Sequence, residues 1–444
     1  SNSSENTGGE TDYGTLDVRV LLTPLQRRSV KAEIRGVTKS NNFAGPGFNT
    51  TLTNHNMFGG AESFDLSING AYEVLVGEQY SASSREIGID SRLSVPRFML
   101  PFRMSTRHQP LSPKTTLLAG LNILNRTDAF RLTSMNASFG YAWNRDPARQ
   151  HRLSPLAFNL FVLGDVSEQM EDILDKGTVL RRGLFEQFII GGNYSYIYNS
   201  RLKQSGISDW YFQFNLDLSG NLAYLFMRAL PGVSVLDDGG YGVFNQSFAQ
   251  YSRTDFDLRY YRQLGESSRL ATRLITGIGV PYANSDMMPY VKQFVIGGSN
   301  SVRAFHPRSL GPGSYSPSEE DGGSYSIRQT GDIKLEANVE YRFDITGIFK
   351  GAFFVDAGNI WRLKDDEQVP GGKFDRSGFY REIAIGAGTG LRIDAGFFVL
   401  RFDFAMPLAD PSVTGGTFFG PVRLGDRRWR RDNIVFNLGI GYPF

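Results

Sequence analysis

Four histidines, His55, His108, His151 and His306, are the first residues to weigh for chemistry, and they are dispersed without metal-ligand spacing. The chain contains no cysteine, which removes a thiolate nucleophile, a zinc–cysteine site and a disulfide scaffold together. Gly386-Ala387-Gly388-Thr389-Gly390 has the glycine density of a phosphate loop. It continues a strand pattern and opens no helix, so the nucleotide motif is refused. Thr254-Asp255-Phe256-Asp257 reads as a strand with its acids on one face, not as a calcium loop. No Gly-x-Ser-x-Gly elbow occurs. The expectation is a protein with no enzymatic step, no cofactor and no metal.

One local feature remains: Gln293-Phe294-Val295-Ile296-Gly297-Gly298-Ser299-Asn300-Ser301-Val302-Arg303-Ala304-Phe305-His306-Pro307. A turn-forming Gly-Gly precedes a single Arg set between apolar side chains. A buried Arg needs carboxylates, because an isolated charge out of water is strongly unfavourable. Glu340 and Asp356, on the polar faces of the two strands that follow, are the candidate partners.

The elements that must position these residues have a period of two. In residues 332–344 the apolar set Ile333, Leu335, Ala337, Val339, Tyr341 and Phe343 takes one face of a strand. Lys334, Glu336, Asn338, Glu340, Arg342 and Asp344 take the other. A helix would scatter these charges all round. The same alternation runs through Trp210 to Ser219, Phe398 to Met406 and Ile434 to Phe444. Sixteen strands are expected, centred near residues 33, 50, 68, 90, 120, 137, 158, 190, 215, 255, 274, 338, 355, 388, 402 and 438. Short turns such as Gly265-Glu266-Ser267, Thr346-Gly347 and Ala395-Gly396 alternate with long polar loops near 166–182, 228–246, 282–330, 362–380 and 409–431.

Composition agrees with that reading. Lys plus Arg is 47 and Asp plus Glu is 45, a net charge of +2 that gives no reason to expect a nucleic-acid partner. The 444 residues include 50 Gly, 34 Phe and 20 Tyr, yet no apolar run approaches the ~18 residues of a transmembrane helix. A soluble β-sandwich also alternates, but its strands are typically about five to six residues long and its charged faces meet water. Strands of ten residues or more, with charges in rows, suit a transmembrane β-barrel whose polar face lines a lumen. The opposite phase would set Arg and Lys against lipid at about 2–4 kcal/mol each. The fold class expected is all-β, a 16-stranded antiparallel transmembrane barrel over residues 29–444, with a long in-folded loop at about 282–330.

From residue 290 onward the sequence resembles the BamA/TamA superfamily of outer-membrane insertases and two-partner secretion transporters. Val302, Arg303, Ala304 and Phe305 are similar to that family's loop-six motif, with Ala304 where Gly is usual. Glu336 with Glu340-Tyr341-Arg342, then Phe354 to Trp361, then Gly388 to Arg392 and Leu400 to Leu408 resemble its last inner strands. The resemblance implies that loop six tucks into the lumen, with Arg303 meeting Glu340 and Asp356. It also implies a lateral gate between the first strand, near 29–37, and the last, near 432–444. Gly36 interrupts the first strand, while Gly439 and Gly441 weaken pairing and permit bending in the last. A client strand would add to the exposed edge. Tyr442 and Phe444 resemble the aromatic C-terminal signal by which such barrels are recognised; read from the residues alone, they are interfacial girdle aromatics.

Residues 1–28 read either as a flexible remnant or linker of preceding soluble periplasmic repeats, or as a disordered tail. Residues 166–176 read as a short amphipathic helix in a surface loop. The resemblance places the barrel in the bacterial outer membrane with both ends periplasmic. It implies outer-membrane lipids, client β-barrel or secreted proteins and accessory assembly subunits as partners. A TamA/TamL-like assembly factor leads, on a loose similarity of residues 16–24 and the first strands. BamA itself, a two-partner secretion pore and a diffusion porin stand as alternatives.

Overall fold

The computed structural model describes residues 26–38, 43–75, 83–100, 111–127, 130–167, 187–203, 206–229, 242–243, 246–317, 329–396, 398–414, 418–420 and 422–444, with Arg19 and Leu21. One antiparallel sheet contains sixteen strands, each hydrogen-bonded to its neighbours in chain order. They are β1 (Arg28–Thr38), β2 (Phe43–Asn54), β3 (Ser63–Leu75), β4 (Ser83–Val95), β5 (Leu111–Arg126), β6 (Phe130–Asp146), β7 (Arg149–Gly164) and β8 (Gln187–Asn199). The second half is β9 (Ser208–Ser219), β10 (Tyr251–Gly265), β11 (Ser268–Pro281), β12 (Ile333–Thr346), β13 (Phe349–Trp361), β14 (Ala384–Asp394), β15 (Val399–Ala409) and β16 (Val435–Ile440). Every expected strand centre falls inside one of them.

Burial is inverted relative to a water-soluble sheet. On β12 the polar residues Glu336 and Glu340 are fully buried, while the apolar Val339 and Tyr341 on the opposite face are 46% and 39% exposed. Phe256, Phe353, Val355, Phe404, Phe436 and Leu438 are likewise exposed along neighbouring strands. The apolar face therefore faces lipid and the polar face lines the lumen, with each inner strand paired laterally to two neighbours. No helix among the described residues is long and apolar enough to cross a membrane. The strands alone form the wall.

The connections depart from the expected two classes in the N-terminal half. Residues 96–110 join β4 to β5 at the end where the short turns lie. Met99 is fixed there by Thr115 Oγ1, which accepts from its N–H at 2.9 Å, and by Tyr141, whose hydroxyl donates to its carbonyl at 2.8 Å. An unexpected helix, α1 (Asn221–Ala229), follows β9 directly, and a short one, α2 (Arg427–Asn433), precedes β16. The helix expected at 166–176 lies largely outside the described residues, as does most of the 1–28 segment.

The last strand is shorter than its apolar ladder promised. Helix α2 cuts it at one end and a turn at Gly441, with φ of +83°, cuts it at the other. β16 pairs with β15 only from Leu400 opposite Ile440 to Ala405 opposite Val435. Beyond that point the carbonyl of Leu408 accepts instead from the N–H of Phe419, at 2.8 Å. β1 pairs with β2 and β16 with β15; among the described residues no register pair joins β1 to β16.

Candidate functional site in the lumen

Loop six leaves β11 and returns into the lumen. Phe294 and Gly331 form an isolated antiparallel bridge at its base. At its tip, Gly297 and Gly298 have φ of +93° and +95°, and a Cβ on Gly297 would lie 2.3 Å from the carbonyl oxygen of His306. Only glycine fits that turn. Gly298 N–H donates to Phe305 O at 2.8 Å, closing a compact hairpin around residues 299–304. Val302, Ala304 and Phe305 pack with Phe294, Ile296, Leu310, Phe354, Ile360, Ala384 and Ala405 as an apolar cluster inside the barrel.

Arg303 lies at the centre of that cluster and is fully buried. Its guanidinium forks onto Asp356, Nε to Oδ2 at 2.8 Å and Nη2 to Oδ1 at 2.9 Å. Nη1 donates to Glu340 Oε2 at 2.5 Å. The Arg303 backbone N–H also donates to Asp356 Oδ2, at 3.1 Å, and Asn437 of β16 donates to the Arg303 carbonyl at 2.9 Å. The ring of Phe354 stacks 3.4 Å from the guanidinium carbon. The structure thus brings Arg303, Glu340 and Asp356 together, because Asn338 faces Asp356 in the β12–β13 register and Glu340 follows Asn338 on the same face.

Sequence reasoning missed the rest of the network. Asp403 lies 3.6 Å from Arg303 and accepts from Arg392 at 2.5 Å. Arg392 also reaches Glu340, at 3.3 Å, and Arg401 lies 3.4 Å from Asp403. Asn338 donates to Ser301 O and to Asp356 Oδ1, at 3.1 and 2.9 Å. Ser301 in turn donates to Glu336, at 2.6 Å. The signal lay in the register: Arg392 and Arg401 stand directly opposite each other, which is destabilising unless a carboxylate intervenes. Four guanidiniums, Arg303, Arg342, Arg392 and Arg401, share three carboxylates, Glu340, Asp356 and Asp403.

Arg342 extends the network to the end of the chain. Its Nε donates to Glu340 Oε1 at 2.8 Å and its Nη2 to the main-chain oxygen of Phe444 at 3.1 Å. Tyr442 and Phe444 both place their rings near its guanidinium, at 4.4 and 5.4 Å. Phe444 is buried against Tyr261 and Ala271 on the lumen side. It is therefore not an interfacial girdle residue; the turn at Gly441 brings it inward.

The other glycines expected at a gate differ from one another. Gly36 faces Pro46 of β2, and a Cβ there would meet nothing within 4 Å. Gly439 faces Arg401, and a Cβ there would come within 2.6 Å of Arg401 Nη2. Gly439 makes room for a buried guanidinium, a reason its sequence context did not reveal.

At the loop end, the connection between β13 and β14 (residues 362–383) meets loop six, where Ser314 N–H donates to Gly371 O at 3.1 Å. Asn359 of β13 donates to Gly313 O at 2.8 Å, and Trp361 Nε1 donates to Glu382 at 2.6 Å. Burial pushes the carboxyls of Asp332 and Glu382 above their ordinary range, opposed by the N–H of Leu363 at the first and of Trp361 at the second. Among the described residues no group of His, Cys, Asp and Glu is placed to hold a metal ion. What this arrangement can do is hold a loop, since all three guanidinium nitrogens of Arg303 are spent on the barrel wall.

The family model described as the Omp85 superfamily domain matches residues 47–444. The chain belongs to the Omp85 superfamily. Among curated relatives, the sorting and assembly machinery component 50 homolog A of Xenopus laevis is 30% identical over 208 residues, covering 45% of this chain and 40% of that protein. Homolog B of the same species is 29% identical over 208 residues, with the same coverage. The match thus spans well under two thirds of these relatives. Among solved structures, BamA from Haemophilus ducreyi lacking POTRA domains 1–3 aligns with a TM-score of 0.55 at 15% identity, covering 86% of this chain and 67% of that one. CdiB from Acinetobacter baumannii aligns at 0.48 and 12% identity, covering 94% of this chain and 60% of that one. The BamA likeness is one of fold. As an Omp85 barrel, the protein is an outer-membrane protein whose sixth loop folds into the lumen.

Proposed function

We propose that this Omp85 barrel is a TamA/TamL-like assembly or translocation factor of the Gram-negative outer membrane, with the ends of its wall on the periplasmic side. It carries out no bond-making step. Its seam between β1 and β16 serves as a lateral gate for client β-barrel or secreted proteins, aided by accessory assembly subunits. The observation that carries this reading is the seam, where, among the described residues, β1 pairs only with β2 and the six-residue β16 only with β15. An unpaired edge is a template for a further strand. The match to sorting and assembly machinery relatives supports assembly as the task.

The chain has no native cysteine, so a cysteine pair can be scanned across the seam, Val30–Ile34 against Phe436–Ile440, without background. Oxidising a pair that closes the seam is expected to stop assembly of client barrels in cells, and reduction to restore it. Unchanged assembly with the seam fully cross-linked would sink the gate. A two-partner secretion pore, BamA itself and a diffusion porin remain distinct outcomes. The first predicts conductance and a dedicated secreted partner, and the last predicts solute flux independent of Arg303. Several upstream soluble repeats would fit either insertase, and a lipoprotein signal upstream would favour the TamL-like form.

A further inference from the structure

We propose that the corner formed by α2 and the short β16 binds the phosphate of an anionic lipid headgroup beside the seam. Residues 423–433 contain five arginines, Arg423, Arg427, Arg428, Arg430 and Arg431, and two acids, Asp426 and Asp432. The acids are already engaged. Asp426 caps the helix, accepting from the Arg428 backbone N–H at 2.8 Å, and Asp432 pairs with Arg431 at 3.0 Å. Arg430 donates to the carbonyl of Leu424. The side chains of Arg423, Arg427 and Arg428 are exposed and have no ion pair or side-chain hydrogen bond among the described residues. Like charges held this close repel, so the cluster favours an anion supplied from outside.

The surroundings select a lipid over a soluble anion or an acidic peptide. The exposed ladder of Phe436, Leu438 and Ile440 begins three residues after Asn433, ~10 Å along the strand. Phe418 and Phe419 are exposed in an edge-to-face pair, anchored beside β15 by the bond from Phe419 N–H to Leu408 O. Cations thus sit directly over lipid-facing apolar side chains, in the order of phosphate and acyl chain in an amphiphile. The β16 strand is too short to fill this part of the wall, since its pairing with β15 stops at Ala405. A basic residue near a membrane surface enriches anionic lipid about fivefold, falling with salt. Three unpaired guanidiniums at one corner suffice for a preferred site.

The proposal requires the barrel to sit in a bilayer, and does not require the gate or any client. The test uses the 444-residue chain carrying Trp143→Phe and Trp210→Phe, which leaves Trp429 on α2 and the buried Trp361. It is reconstituted in phosphatidylcholine vesicles containing a minority of brominated phosphatidylglycerol, or of brominated phosphatidylcholine instead. Quenching of Trp429 is expected to be about threefold stronger with the anionic quencher. In the Arg423→Gln, Arg427→Gln, Arg428→Gln variant the two quenchers should act equally, whereas the corresponding triple Lys variant should keep most of the preference. Equal quenching in the parent protein, or a preference that survives the Gln variant, overturns the proposal. Loss of preference on adding inorganic phosphate, but not chloride of matched ionic strength, would assign the site to free phosphate and overturn it as well. If the triple Gln variant fails to fold, judged by heat-modified gel mobility, Arg427→Gln alone must lower the preference, and no change there refutes the site. Client assembly is measured separately, so a failed lipid preference leaves the assembly reading intact.

Discussion

Ala304 and Gly386 occupy a single side-chain space between them: a Cβ built on Gly386 would lie 2.4 Å from the Ala304 methyl. The loop-six tip carries the methyl and strand β14 gives it up. Ala304 keeps a negative φ, so the replacement of the family's usual glycine costs nothing in the backbone. Its cost, if any, is steric, and β14 absorbs it.

This pairing predicts a reciprocal rescue. Gly386→Ala should destabilise the barrel by about 1–3 kcal/mol through overpacking. Adding Ala304→Gly should recover most of that loss, in urea titrations followed by heat-modified gel mobility. Equal stability of Gly386→Ala and the parent protein would show that the space is not shared.

Arg303→Ala leaves Asp356 buried without an ion-pair partner among the described residues and takes from Glu340 one of its three guanidiniums, a loss of about 3–5 kcal/mol. Loop six is then expected to become protease-sensitive and single-channel conductance to rise. Arg303→Lys should recover only part, because an ammonium cannot make the forked contact. Because the pair is buried, the difference between these variants should persist in high salt. Conductance identical to the parent in both variants would remove Arg303 as the anchor.

The inward turn of the final residues depends on Arg342. In the cysteine-free background, Phe444→Cys provides a thiol whose maleimide labelling should be slow. Adding Arg342→Gln should raise that rate about tenfold, since it removes the bond to the main-chain oxygen of residue 444 and the cation beside the Tyr442 ring. Labelling equally fast in both backgrounds would mean that Arg342 does not hold the segment.

Two of the gate glycines make opposite predictions. Gly36→Ala meets open space and should change stability by no more than about 0.5 kcal/mol. Gly439→Ala must displace the Arg401 guanidinium, which is only 1% exposed, and should cost about 1–3 kcal/mol. If both substitutions slow client assembly equally while leaving stability unchanged, flexibility rather than packing is what these glycines supply.

The wall was legible because lipid and lumen impose opposite demands on alternate residues, so a period of two survives in nearly every strand. The Arg303 partners on β12 and β13 were legible for the same reason, since a buried Arg needs inward carboxylates and Glu340 and Asp356 were in phase. Asp403 was not, because its contact depends on how β14 and β15 align, which a single strand's pattern does not encode. Helix α1 was hidden by its position immediately after a strand, where Leu222, Tyr224 and Phe226 keep the even-numbered apolar phase and mask the helical spacing of Leu222 and Leu225. The ladder through Phe444 continued past Ile440 in sequence, yet Gly441 took the backbone into a left-handed turn and Phe444 into the lumen. No hydropathy pattern distinguishes those two fates.

The inverted burial of the wall also redistributes tolerance to sequence drift. Trimming the side chain of Val339 or Phe404 leaves no hollow, because a fluid acyl chain flows into the space and the usual cavity penalty disappears. The same small change at Asn338, Asp356 or Asp403 strands a fixed partner in a site that nothing mobile can refill. Over generations the greasy exterior can exchange Leu, Ile, Val and Phe almost freely. The hydrophilic interior is where ancestry should stay written.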